Sequence, residues 1–160
     1  MNTNTQGFAM PILLGDLAAT EALGARIAAG LGIGDAVALH GDLGAGKTTL
    51  ARAILRALAV TENVPSPTFT LVQTYETPGL VVRHYDLYRI QNPSEVDELG
   101  LDEALEEGAA LIEWPENAEG RLPGDALHIV LTTTGPQSRR ADIAGPPRWA
   151  SHLMGAALVR

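Results

Sequence analysis

Gly41-Asp42-Leu43-Gly44-Ala45-Gly46-Lys47-Thr48 is the stretch that decides the fold. It fits G-x-x-x-x-G-K-[ST], the pattern of a phosphate-binding loop. Glycine at 41, 44 and 46 opens backbone angles closed to other residues and lets N–H groups come close to an anion. Successive N–H groups then form a concave anion site. A helix that follows adds the positive end of its dipole. Lys47 suits β- and γ-phosphate oxygens, and the Thr48 hydroxyl suits Mg²⁺. Lys47 is also the sole lysine among eleven lysines and arginines. A chain that uses arginine elsewhere keeps its one compact, mobile ammonium where phosphate oxygens would meet it.

Both flanks of the loop agree with this reading. Residues 36–39 (Ala-Val-Ala-Leu) form a short apolar run, the mark of a buried strand. Residues 48–58 carry Leu50, Ile54, Leu55 and Leu58 at helical spacing. Upstream, 17–31 has helical periodicity with Asp16 as N-cap, and 11–14 reads as a strand. Residues 1–9 are polar and are expected to be loose. Downstream, Pro65 and Pro67 force 64–68 to be extended. Residues 70–77 and 80–86 read as two strands joined at Pro78-Gly79, a hairpin signal. Ser94-Glu95-Val96-Asp97 resembles a capping box that opens an acidic helical stretch ending near Gly108. Residues 109–112 and 126–133 read as strands, with 139–143 placed to pair with the latter. Pro146-Pro147 sets off a tail, 146–160, in which Trp149, Leu153 and Leu158 are spaced for a terminal helix.

Strands alternating with helices around a phosphate loop predict an α/β fold, a P-loop NTPase-like three-layer sandwich. The hairpin makes its central sheet mixed rather than purely parallel. One domain over 10–145 is the expectation for a chain of 160 residues.

Composition narrows the function. The net charge is −8, which disfavours gripping a nucleic-acid backbone with Lys and Arg. Between Glu95 and Glu119 there are ten carboxylates and no Lys or Arg. That stretch is a solvated helix face or a surface for a basic partner. The absence of cysteine excludes disulfides, thiol catalysis and thiolate metal sites. No signal peptide and no membrane-length apolar run are visible, so a cytoplasmic, non-membrane protein is expected.

Hydrolysis of a nucleoside triphosphate needs a carboxylate for Mg²⁺ or its water at the end of a buried strand. Glu113 and Asp86 both end strand-like runs. Either could instead cap a helix or pair with an arginine. Ser66 and Thr68 lie in the proline-stiffened segment, where such hydroxyls sense a γ-phosphate or simply close a turn. Arg83 and Arg89 could neutralise charge or form salt bridges. His84 alternates with Asp86 on one strand face, as an orienting residue or as a buried, satisfied histidine. His40, His128 and His152 have no metal-ligand spacing. Phe69, Tyr75, Tyr85, Tyr88 and Trp114 read as core, with Trp114 alternatively flanking a nucleotide or a partner surface.

Together, Gly-Asp-Leu-Gly-Ala-Gly-Lys-Thr-Thr (41–49), Ser-Pro-Thr-Phe-Thr-Leu (66–71), His-Tyr-Asp-Leu-Tyr-Arg (84–89) and Ile-Glu-Trp-Pro-Glu (112–116) resemble the TsaE (YjeE) family over roughly residues 10–145. Four motifs in this order are highly specific. The resemblance implies a small Mg²⁺-dependent ATPase in tRNA threonylcarbamoyladenosine modification, using ATP/ADP. It implies weak activity alone and partnership with TsaD and TsaB, whose complex it binds and resets. The tRNA is then met only through that complex. By residue, the family pattern implies phosphate contact by Lys47, Mg²⁺ at Thr48 and Glu113, and a hydrolytic role for Asp86. Catalysis falls to Lys47, Asp86 and Glu113. Nucleotide binding falls to Leu17 and Thr20 beside the adenine, to Gly44, Ala45, Gly46, Lys47, Thr48 and Thr49 in the loop, and to Arg139. Segment 66–71 matches a switch-like stretch. The tail after Pro146 carries no family pattern.

Two other classes compete. A small-molecule kinase usually needs an arginine-rich lid, and residues 90–120 hold no arginine. A non-hydrolysing nucleotide-gated adaptor has the same sequence requirements as a slow ATPase. A GTPase is disfavoured, because its guanine-reading Asn-Lys-x-Asp needs a second lysine.

Overall fold

The computed structural model describes residues 7–153. Seven strands form one sheet in the order β1-β7-β6-β2-β5-β4-β3. They are β1 (Phe8–Leu14), β2 (Ala36–His40), β3 (Val72–Thr77), β4 (Leu80–Asp86), β5 (Gly108–Glu113), β6 (Leu127–Thr133) and β7 (Arg139–Gly145). The central four, β6-β2-β5-β4, are parallel. Both edges are antiparallel, through β3–β4 on one side and β6–β7–β1 on the other. Every residue of β5 is buried, and so are all but the last of β2. That explains their uninterrupted apolar sequence, since a strand covered on both faces has no polar side to alternate with.

Two helices, α1 (Leu17–Gly30) and α2 (Lys47–Ala57), cover one face. Leu23 and Ile27 of α1 and Leu50, Ile54 and Leu55 of α2 pack with Val37, Leu39, Leu111 and Ile129 in one core cluster. The helices approach closely because position 24 is glycine; a Cβ there would stand 2.6 Å from Ala53 Cβ. The other face is covered by α3 (Leu101–Glu107) and two 3-10 turns, Pro93–Leu99 and Pro115–Ala118. Val96, Leu101, Ala104 and Ala118 pack there with Ala36, Ala110 and Ile112. The predicted three-layer α/β sandwich with a mixed sheet is therefore what forms.

The Asp16 cap is present, with its carboxylate accepting from Ala19 N at 2.9 Å. Four boundaries differ from expectation. β1 begins at Phe8, because the antiparallel ladder with β7 runs on to Phe8↔Gly145. β3 begins only at Val72, since Leu71 sits at φ 72° with its N–H turned back to Pro67 O. The capping box is Asn92 with Glu95, two residues before the expected Ser94. The acidic stretch is also two elements rather than one, because Gly100 at φ 71° breaks it. Finally, the tail is not peripheral at its start. Pro147–Trp149 is a 3-10 turn that continues as helix through 150–153, and Trp149 and Leu153 are fully buried in the core under α1 and α2. Leu158 lies outside the described residues.

Parallel pairing also gathers the chemistry. β2, β5 and β4 end at one edge of the sheet, with Leu39↔Glu113 and Asp86↔Glu113 in register. The loop leaving β2, Glu113 and Asp86 therefore share the carboxyl edge, where α/β sheets bind ligands.

Candidate active site

The loop between β2 and α2 is curled by its glycines, and Ala45 N–H closes it on Asp42 O at 3.0 Å. Gly44 and Gly46 adopt φ 82° and 106°, a region a side chain would strain. Gly46 is also the N-cap of α2, so Lys47 and Thr48 open the first turn of that helix. A cavity of about 350 Å³ faces this cradle. It is lined by Gly44, Gly46, Lys47, Thr48 and Thr49 from the loop, Ser66 and Thr68 from the switch-like segment, Asp86, Glu113, Trp114 and Arg139. A second cavity of about 240 Å³ has Gly46, Thr49 and Arg139 in common with it and adds Leu17, Thr20 and Ala45. All eleven residues expected to form the site thus line one or the other of two cavities that share Gly46, Thr49 and Arg139.

Each polar group has defined partners. Thr48 Oγ1 donates toward both oxygens of Glu113, at 2.9 and 2.8 Å. Glu113 is 3% exposed, and His84 Nε2 lies 2.7 Å from its Oε2. His84 is itself fully buried, and among the described residues its Nδ1 has no hydrogen-bond partner. Asp86 Oδ2 accepts from Ser66 and Thr68 at 3.0 and 3.1 Å, and its Oδ1 accepts from Tyr88 N. The hydroxyls of segment 66–71 are thereby tied to the second strand-end acid.

Lys47 does not reach into the open cavity. Its ammonium donates to Gly41 O at 2.5 Å and Asp42 O at 2.9 Å, and lies 4.2 Å from the Trp114 ring centroid. Trp114 is held at φ 58° and its ring lies 4.8 Å from that of Tyr88. Burial pushes the Lys47 ammonium below its ordinary pKa, and the carboxylates of Glu113, Asp86, Glu116 and Asp42 oppose that shift. Arg139 is likewise occupied by the loop. Its Nε donates to Ala45 O at 3.0 Å and its Nη2 to Gly44 O at 3.3 Å. Both cations are bonded to carbonyls of the phosphate loop itself.

The donor set fits Mg²⁺. A hydroxyl and one carboxylate are hard oxygen ligands, and Mg²⁺ is usually held by one or two carboxylates with waters and substrate phosphates. Among the described residues no cluster of three His, Asp or Glu side chains forms a self-contained metal cage.

Other candidates fall elsewhere. Arg83 pairs with Glu107 at 3.0 Å, and Arg89 stacks over the exposed Phe69 at 5.1 Å, so neither lines the recess. His40 and His128 bond to each other at 2.9 Å beyond the loop, and His152 packs edge-on against Trp149. Leu14, Leu131 and Gln137 also line the smaller cavity, and motif reading passed over them. The available signal was topological. Strand β6 runs parallel beside β2, so the residue near its end must arrive beside the loop.

Strand, glycine cradle, helix and paired strand-end acids define a P-loop domain of the nucleoside-triphosphatase type. Comparison with known proteins narrows this further. The family profile described as "Threonylcarbamoyl adenosine biosynthesis protein TsaE" matches residues 14–141. The chain is 38% identical over 133 residues to the tRNA threonylcarbamoyladenosine biosynthesis protein TsaE of Rickettsia felis, covering 82% of this chain and 78% of that one. It is 40% identical over 121 residues to the Bacillus subtilis protein of the same description, covering 75% of each. In three dimensions it resembles the crystal structure of Bacillus subtilis YdiB, with TM-score 0.77 and 29% identity over 94% of this chain and 95% of that one. The chain belongs to the TsaE family.

Proposed function

We propose that this protein is a Mg²⁺-dependent ATPase that serves tRNA threonylcarbamoyladenosine formation by binding and resetting the TsaD–TsaB complex. The role in that modification follows from membership of the family. The observation that carries the enzymatic reading is the convergence of three groups on one recess. They are the glycine cradle with Lys47, the Thr48–Glu113 pair and Asp86.

The roles follow from the positions. Gly44 and Gly46, and Ala45 once its N–H leaves Asp42 O, would present N–H groups to the β-phosphate, and the start of α2 adds its dipole. Lys47 swings from Gly41 O and Asp42 O to the phosphate oxygens. Thr48 and Glu113 hold Mg²⁺ directly or through water, and the metal when bound neutralises charge developing on the phosphates. Asp86 orders the attacking water, and Ser66 and Thr68 couple it to segment 66–71. Leu17 and Thr20 border the base and Arg139 the phosphates. No helix among the described residues is long and apolar enough to cross a membrane. The exposed carboxylates between Glu95 and Glu107, with Glu116 and Glu119, suit a basic protein surface rather than direct contact with tRNA.

Nucleotide titration with and without Mg²⁺, followed by phosphate release with the partner complex added, tests this. Glu113→Ala is expected to lose more of the Mg²⁺-dependent affinity than Asp86→Ala, and Asp86→Ala to lose more turnover. Equal losses in both measurements would remove the division of labour. No ATP binding by the folded wild type would remove the function.

A further inference from the structure

We propose that His84 is a positioning residue: through an Nε2–H bond it holds the Glu113 carboxylate in the orientation that serves Thr48 and the metal. This rests on the metal role given above to Glu113. On β4, His84 and Asp86 are two residues apart and so point to the same side of the sheet. Asp86 is in register with Glu113 on β5, while His84 is opposite Leu111. His84 therefore meets Glu113 diagonally, one pleat back from the cavity, and is 0% exposed.

Glu113 has few alternatives. Thr48 has a single hydroxyl proton to donate, and its oxygen lies almost equally far from both carboxylate oxygens, at 2.9 and 2.8 Å, so it satisfies only one of them at a time. Lys47 is bonded to loop carbonyls instead. Among the described residues His84 supplies the only nitrogen donor to the Glu113 side chain. When the Thr48 oxygen turns to a cation, the imidazole is what continues to hold Glu113.

The same contact fixes the ring's tautomer. A carboxylate only accepts, so at 2.7 Å the proton must sit on Nε2. Among the described residues Nδ1 has no hydrogen-bond partner, which a lone pair tolerates better than an N–H does. The opposite tautomer would set two acceptors against each other and bury an unpaired N–H, the rarer and costlier defect. Groups that orient a metal ligand in this way typically affect metal affinity by about 10- to 100-fold when removed.

The test measures ADP affinity of the full chain by calorimetry with and without Mg²⁺. The ratio of the two dissociation constants reports the metal's contribution without turnover. His84→Leu removes the donor and keeps the volume filled, so the ratio is expected to fall about tenfold or more. His84→Gln restores an N–H at similar reach and is expected to keep the ratio within about threefold of wild type. A merely structural histidine would move the melting temperature and leave the ratio alone. An unchanged ratio in H84L overturns the proposal, as does an H84Q ratio that falls as far as that of H84L. Glu113→Gln separates this from the wider reading. If E113Q loses the ratio and H84L does not, only the role of His84 fails; if E113Q also keeps it, both fail. Should H84L not fold, side-chain ¹⁵N spectra of the wild type decide. A pyrrole-like Nε2 with a pyridine-like Nδ1 is expected, and the reverse overturns the proposal.

Discussion

Replacing Lys47 by methionine keeps an unbranched stem and removes the ammonium. That ammonium now donates to Gly41 O and Asp42 O and sits 4.2 Å from the Trp114 ring centroid. On the proposed role, nucleotide binding would exchange two neutral carbonyl acceptors for charged phosphate oxygens, so the hydrogen bonds cancel to first order and the charge does not. A unit pair at about 4 Å contributes about 4 kcal/mol at the effective dielectric near a protein surface. Release from the indole costs about 0.5–1 kcal/mol. The net is about 3 kcal/mol, roughly two decades in Kd. Burial already disfavours the charged form of Lys47, so the nucleotide-free variant is expected to be at least as heat-stable as wild type. Calorimetric titration of Mg²⁺–ADP, with melting curves as the folding control, measures both. A K47M protein that binds within about threefold of wild type would refute the exchange, because the charge term of about 4 kcal/mol would then be missing. Trp114→Leu is the converse perturbation. It frees the ammonium beforehand and should tighten binding about two- to fivefold. Weaker binding would mean that the indole acts on the ligand and not on Lys47.

Three further outcomes are expected. Burial lowers the pKa of both His40 and His128 from 6.5; their mutual repulsion lowers that of His40 further, and Glu116 opposes it. The unfolded chain then binds more protons than the fold below about pH 6.5, so stability is level above that pH and falls as pH drops through the folded values. Melting temperatures across that range should show this, with a shallower acid slope in His128→Gln; an identical slope would exclude the pair as its source. Gly108→Ala would bring a Cβ to 1.9 Å from Val81 O, forcing β4 from β5 at a cost of about 1–3 kcal/mol or more; chemical denaturation with an unchanged midpoint would contradict the strand spacing. Trp149→Ala should cost about 3–5 kcal/mol as a buried aromatic truncation, whereas a neutral result would detach the 147–153 segment from the core.

The parts that were legible early are those decided within a few residues. Gly44-Ala45-Gly46-Lys47-Thr48 forms its cradle because glycine alone tolerates the required angles. Pro78-Gly79 turns the hairpin for the same reason, with Gly79 at φ 81°. Less legible were features where neighbours compete. Asn92 displaced Ser94 as the cap because its side chain reaches Ser94 N while Glu95 returns to Asn92 N. The helical spacing of Trp149 and Leu153 does not say where that segment docks, and Trp149 packs against α1 at Gly30.

The sequence by itself determined the strand, glycine loop and helix of a P-loop domain, since backbone sterics and periodicity act locally. Only the tertiary structure decided what meets that loop. Thr48, His84 and Glu113 lie far apart along the chain and come together because buried parallel pairing of β2, β5 and β4 aligns the strand ends. The resting partners of Lys47 and Arg139 are likewise a tertiary outcome. A cation beside a curled loop takes whichever carbonyls the packing leaves within reach, and no residue pattern specifies which these are.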